Sequence, residues 1–122
     1  MILVTLRLVV PNGRQDEIVD VFWLLRGPVR AEPGCRLCGL FQDLGHDGVL
    51  VYAEVWETQE QLERHLRSAR YERVLALMEA SAEPPVLRYQ WVACTRGLEY
   101  LEAVRLGASP LPPPGPDDAS SG

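Results

Sequence analysis

The chain opens on alternation. In "MILVTLRLVV" Ile2, Val4, Leu6 and Leu8 fall on one side of an extended segment, and Leu3, Thr5, Arg7 and Val9 on the other. The first side is wholly apolar and the second mixed. The run is rich in β-branched residues and stops at Pro11-Asn12-Gly13, so residues 2–10 are predicted to be a strand. From Arg14 the period lengthens. Ile18, Val21, Phe22 and Leu25 recur at helical spacing and form the stripe of an amphipathic helix. Gly27-Pro28 is expected to end or kink that helix, because proline lacks the amide donor and restricts the residue before it.

Cys35 to Asp43 reads as a second strand, residues 45–48 ("GHDG") as a hairpin connection, and Val49 to Glu57 as a third strand. In this strand Val49, Val51, Ala53 and Val55 lie opposite Leu50, Tyr52, Glu54 and Trp56. Thr58 and Gln61 have the spacing of a capping box, and the helix they open carries Leu62, His65 and Leu66 on one face. At Ser68 the apolar register shifts and restarts as Tyr71, Val74, Leu75 and Met78, which predicts two short helices rather than one. A fourth strand is expected over Val86 to Thr95 and a short helix over residues 97–105.

Strand, helix, two strands, a helix pair and a strand make an α+β fold of ferredoxin-like type, a four-stranded antiparallel sheet with helices on one face. Arg7, Arg36, Glu54 and Arg88 are expected mid-strand on the face away from the helices. They share it with Leu50, Tyr52, Trp56 and Val92, a face too apolar for open water. It is expected to pack on the same face of a second subunit, giving a homodimer.

Composition narrows the function. A chain of 122 residues, 47 % hydrophobic and 24 % charged, is long enough for one packed domain, expected over residues 1–106. Residues 107–122, rich in proline and poor in apolar side chains, are expected to be a disordered tail. A net charge of −5 argues against a nucleic-acid footprint. The first segment lacks a basic region and a cleavage site, and no apolar run approaches membrane-spanning length, so a cytoplasmic location is expected.

"PGCRLCGLF" contains Cys-x-x-Cys. On a regular strand, residues three apart face opposite sides, so Cys35 and Cys38 are expected to be parted by the sheet. They would then neither bridge nor share a metal, and Cys94 supplies no convincing further ligand. Buried structural thiols are the expectation, with no metal site.

"EPGCRLCGLF", "VLVYAEVWETQEQLERHLRSARY" and "VLRYQW", in that order, resemble the antibiotic-biosynthesis-monooxygenase family of small dimeric α+β barrels. The matching positions are Gly34-Cys35, Glu54 with Trp56, and His65, Ser68 and Tyr71, and the resemblance spans about residues 1–95. It implies a pocket between sheet and helices in which a small electron-rich aromatic or quinol is oxidised by molecular oxygen with no cofactor. Deprotonating a dihydroxyaromatic gives an anion able to pass an electron to oxygen, so a dry slot, a base and a phenolate donor would suffice. His65, alone on an apolar helix face, is the expected base or orienting donor, and Tyr71 or Tyr89 the phenolate donor. Leu6, Phe41, Val51, Tyr89 and Trp91 are expected on the helix-facing side, with Trp23 and Tyr71 closing the slot. Trp23, Phe41, Tyr89 and Trp91 are thus the expected substrate contacts.

Arg64, Arg67, Arg70 and Arg73 read as a solvated face paired with Glu60 and Glu63, and His46 as a turn residue. The haem-degrading branch of the family carries an asparagine on its first strand and a late helical histidine. Thr5 and Arg7, and Val74, Leu75 and Met78, stand in those regions, so no haem is expected. The same fold also suits a non-catalytic dimeric binding or stress-response module.

Overall fold

The computed structural model describes residues 1–108 and 110–112. Four strands, β1 (Ile2–Val9), β2 (Cys35–Gln42), β3 (Val49–Trp56) and β4 (Val86–Trp91), alternate with α1 (Gln15–Arg30), α2 (Gln59–Leu66), α3 (Tyr71–Glu79) and α4 (Leu98–Arg105). The strand order is β2-β3-β1-β4, the ferredoxin-like arrangement, and the sheet of the single chain is open. Residues 1–90 form one compact unit and those from Trp91 onward a second. The expected proline-rich tail lies for the most part outside the described residues. No helix among the described residues is long and apolar enough to cross a membrane.

β1 behaves as its alternation predicts: Ile2, Val4, Leu6 and Leu8 are buried and their neighbours half-buried. They pack beneath Ile18, Phe22, Leu25 and Val29 of α1 and Leu62, Tyr71, Val74 and Leu77 of α2 and α3. α1 does not stop at Gly27-Pro28 but runs through Pro28 to Arg30. Proline removes only the bond to the Leu24 carbonyl, on a flank where Leu24 is exposed, while fully buried Val29 holds the last turn down. The break at Ser68 is present. The Ser68 hydroxyl donates to the His65 carbonyl at 2.6 Å and closes α2 before α3 begins.

Register overturns the expected facing of β3. Ile2, Val4, Leu6 and Leu8 pair with Trp56, Glu54, Tyr52 and Leu50, and directly opposed residues project to the same side. Leu50, Tyr52, Glu54 and Trp56 therefore point at the helices, and Glu54 is only 1 % exposed. The purely apolar set of Val51, Ala53 and Val55 points outward. Phe41 pairs with Val51 and goes with it: it lies on the outer face, half-exposed, not on the helix side. Arg7 does lie on the outer face, and β4 ends at Trp91, short of Thr95.

A bulge in β2 overturns the cysteine argument. Cys35 pairs with Trp56 and Leu37 with Val55, so Arg36 is the extra residue, and Cys38 then pairs with Glu54. One inserted residue restores the parity that a three-residue spacing breaks, and both thiols face the helices. They are free cysteines, not a disulfide.

Candidate functional site

Glu54 is the centre of a buried polar cluster. Its neighbours two residues away on either side both donate to it, the Tyr52 hydroxyl to Oε2 at 2.6 Å and the Trp56 indole N–H to Oε1 at 2.9 Å. The period-2 geometry of a strand makes this possible, since Tyr52, Glu54 and Trp56 stand side by side on one face. A third partner comes from α2: His65 Nε2 lies 3.0 Å from Glu54 Oε2. The other ring nitrogen, Nδ1, lies 2.9 Å from Oε2 of Glu32, in the turn after α1. Arg70, in the turn between α2 and α3, reaches the same Glu32 oxygen at 3.2 Å. Arg70 thus stays exposed but pairs with Glu32 rather than along its own helical face; Arg67 keeps its expected partner Glu63.

His65 is 1 % exposed, stacked on Trp56 at 4.7 Å and met edge-on by Tyr71 at 5.3 Å. An imidazole between two carboxylates donates from both nitrogens only when it carries a charge. Burial opposes that charge, but the hydrogen bonds and charges of Glu54 and Glu32 outweigh it and raise the histidine pKa. Burial likewise opposes the Glu54 carboxylate, yet bonds from His65, Tyr52 and Trp56 leave its pKa below the usual value. Both shifts favour a carboxylate–imidazolium–carboxylate row, with Arg70 at its outer end. A base needs a free nitrogen, and His65 has none in this arrangement.

From Glu54 the hydrogen-bond chain continues toward β2. The Tyr52 oxygen, its own proton given to Glu54, lies 3.2 Å from Cys38 Sγ and accepts from that thiol. Burial and the Glu54 charge push the Tyr52 phenol far up, and burial raises the Cys38 thiol to about 11. Both therefore stay protonated at neutral pH.

Cys38 is also part of the floor of a groove of about 330 Å3 running between α1 and the edge strand β2. Trp23, Arg26 and Arg30 line one wall, and Arg36, Leu37, Gly39, Leu40 and Phe41 complete it. Trp23 is 64 % exposed and Phe41 53 %, and the Phe41 ring folds back over Gly39, where a Cβ would crowd it. The expected site residues thus divide into two groups. His65 and Tyr71 meet in the core, with Tyr89 beside Tyr71, whose phenol is raised by burial and by that neighbour. Trp23 and Phe41 meet in the groove. Trp91, the last residue of β4, is half-exposed and belongs to the second unit. What sequence reasoning missed is the set Glu32, Cys38, Tyr52 and Glu54. The readable signal was Tyr-x-Glu-x-Trp, in which every second residue can bond to the same carboxylate.

Among the described residues no group of His, Cys, Asp and Glu is placed to hold a metal ion. A second depression, of about 360 Å3, lies within the C-terminal unit against Cys94, Arg96, Tyr100 and Leu111, and among the described residues no carboxylate or histidine lines it.

The profile of the antibiotic biosynthesis monooxygenase family matches residues 1–77, from β1 into α3, and so takes in the whole Cys38–Tyr52–Glu54–His65–Glu32 row. The chain belongs to the antibiotic biosynthesis monooxygenase family. No curated protein matches it in sequence. Among solved structures, a Caulobacter crescentus protein described as a candidate antibiotic biosynthesis monooxygenase is 26 % identical, with a TM-score of 0.67 over 73 % of this chain and 86 % of that one. A Deinococcus radiodurans protein described in the same way has a TM-score of 0.72 at 16 % identity, covering 80 % of this chain and 97 % of its own. A Mycobacterium tuberculosis protein has a TM-score of 0.70 at 21 % identity, covering 79 % and 98 %. These likenesses establish the α+β fold of this family member.

Proposed function

We propose that this family member is a cofactor-independent monooxygenase that oxidises a small electron-rich aromatic or quinol with molecular oxygen. The observation that carries the reading is a continuous chain of donors, Cys38 to Tyr52 to Glu54, leading from the floor of an aromatic-lined groove to a buried carboxylate. A hydroxyaromatic lying between Trp23 and Phe41 with its O–H at Cys38 would hand its proton inward, each group passing on its own, to Glu54. His65, held charged by Glu32, is then a positioning residue that keeps Glu54 ionised and aligned rather than the base itself. Tyr71 fixes the imidazole edge. The resulting anion passes an electron to oxygen, and recombination gives RH2 + O2 → RO + H2O, both electron pairs coming from the substrate. The family member is proposed to work as a homodimer through the outer face of its sheet, where Val51, Ala53 and Val55 lie beside Arg7.

One observation favours a different reading. Because neither ring nitrogen of His65 is free and the cluster is closed to solvent, the row also suits a rigid floor for a binding module without turnover. Oxygen uptake with a panel of reduced naphthoquinones and anthrones separates the two. The enzyme reading expects turnover that Glu54→Gln lowers about a hundredfold or more with KM little changed. Absence of uptake on every compound, or Glu54→Gln at wild-type rate, favours the binding module.

A further inference from the structure

We infer that the groove between α1 and β2 takes an aromatic ligand that carries a second, permanently charged acidic group, such as a hydroxyaromatic carboxylate. This rests on the groove being the substrate site proposed above and specifies what enters it. Three of the chain's twelve basic residues line this one depression, in a protein whose net charge is −5. Among the described residues no acidic side chain lines it. Such a local reversal of sign focuses the field on an anion.

The fold explains how the three guanidiniums converge. Trp23, Arg26 and Arg30 lie three and four residues apart on α1 and so share one flank of that helix. The Arg26 guanidinium lies 5.0 Å from the centroid of the Trp23 ring, which holds it over an aromatic face. Arg36 is the bulged residue of β2, released from the ladder by the same insertion that brings the two thiols to one side. Glu57 holds it by one terminal nitrogen at 2.6 Å, leaving the rest of its planar fork for another acceptor. Among the described residues no carboxylate lies within ion-pair distance of Arg26 or Arg30.

The groove also limits size and shape. Its volume of about 330 Å3 is at the small end of ligand sites, enough for two or three fused rings. Trp23 and Phe41 offer flat apolar faces, and the arginines offer bidentate donors to a carboxylate. A neutral quinol uses the first feature and wastes the second. An acidic aromatic uses both.

The test is calorimetric titration of the full chain with 3-hydroxy-2-naphthoate and with its neutral counterpart 3-hydroxy-2-naphthamide. The carboxylate is expected to bind about tenfold or more tightly than the amide, the usual advantage of a charge-assisted hydrogen bond. That gap is expected to narrow between about 50 and about 500 mM NaCl and to close in the exposed double variant Arg30→Gln/Arg36→Gln. Equal affinity for the two probes, a gap that survives the double variant, or no binding of either overturns the inference. Its failure and that of the proposed function are separable. Oxygen uptake on neutral quinols without a carboxylate preference removes this inference alone. A carboxylate preference without oxygen uptake removes only the oxidation.

Discussion

Replacing His65 with alanine tests the central row most directly. The substitution removes two hydrogen bonds between charged groups, at 2.9 Å and 3.0 Å, and the stack on Trp56. Charged hydrogen bonds contribute about 1.5–3 kcal/mol each and the stack about 0.5–1.5 kcal/mol. Against this, Glu54 keeps its bonds from Tyr52 and Trp56 and can take up a proton, and Glu32 keeps Arg70. The net cost is therefore expected at about 3–5 kcal/mol, the range for breaking a buried ion pair. The pH dependence is more discriminating than the magnitude. The pKa of His65 is raised above the ordinary 6.5, so its contribution is complete below 6.5 and lost as pH rises through the folded value. Glu54 is lowered from the ordinary 4.5, so its contribution is present above 4.5 and lost as pH falls through the depressed value. Urea unfolding of wild type and His65→Ala should thus differ most between pH 4.5 and 6.5, and the difference should narrow on the alkaline side to what the stack on Trp56 contributes. A difference below about 1 kcal/mol, or one that is flat across this range and beyond, would refute a charged imidazole between two carboxylates.

Gly34 has φ +87° and lies against the Gln61 side chain, so Gly34→Ala should cost about 1–3 kcal/mol in urea unfolding. Adding Gln61→Ala should recover the steric loss caused by the Gln61 amide, but neither that caused by its Cβ, at 2.9 Å, nor the backbone part. Thiol titration at neutral pH should show Cys94, which is exposed, reacting fast, and Cys38, on the groove floor but kept protonated with its pKa near 11, reacting far more slowly. Modification of Cys38 as fast as that of Cys94 in folded protein would contradict a protonated thiol there. Sedimentation should give twice the chain mass, and Val51→Asp on the outer sheet face should shift it toward the monomer; a wild-type monomer would remove the proposed dimer.

Much of the fold was legible because local signals agreed. The alternation of β1, the stripe of α1, the Thr58 cap and the register shift at Ser68 all appear where the sequence places them; Thr58 accepts from the Gln61 amide at 3.2 Å. The capping box is only half made, since the Gln61 side chain packs over Gly34 instead of reaching back. β3 was misread for a physical reason. The rule that the purely apolar side faces inward assumes a core without polar groups. Here the inward side carries Glu54, because three donors around it, from Tyr52, Trp56 and His65, make its burial tolerable. The strand's apolar pattern alone cannot reveal this; Tyr52 and Trp56 flanking Glu54 hint at it, and the register against β1 decides it. The bulge at Arg36 was equally hidden, since one unpaired residue leaves no mark on composition yet reverses the facing of everything after it. The groove was out of reach of periodicity, since it joins one flank of α1 to both faces of an edge strand.

The position of β1 has a consequence for how the chain is made. It sits between β3 and β4 at the middle of the sheet, yet its partners follow it by about forty and about eighty residues. On the ribosome this apolar ribbon emerges well before anything can pair with it, and contacts of such long sequence separation close slowly. The nascent protein therefore passes through an interval with its stickiest segment bare, in which aggregation competes with folding.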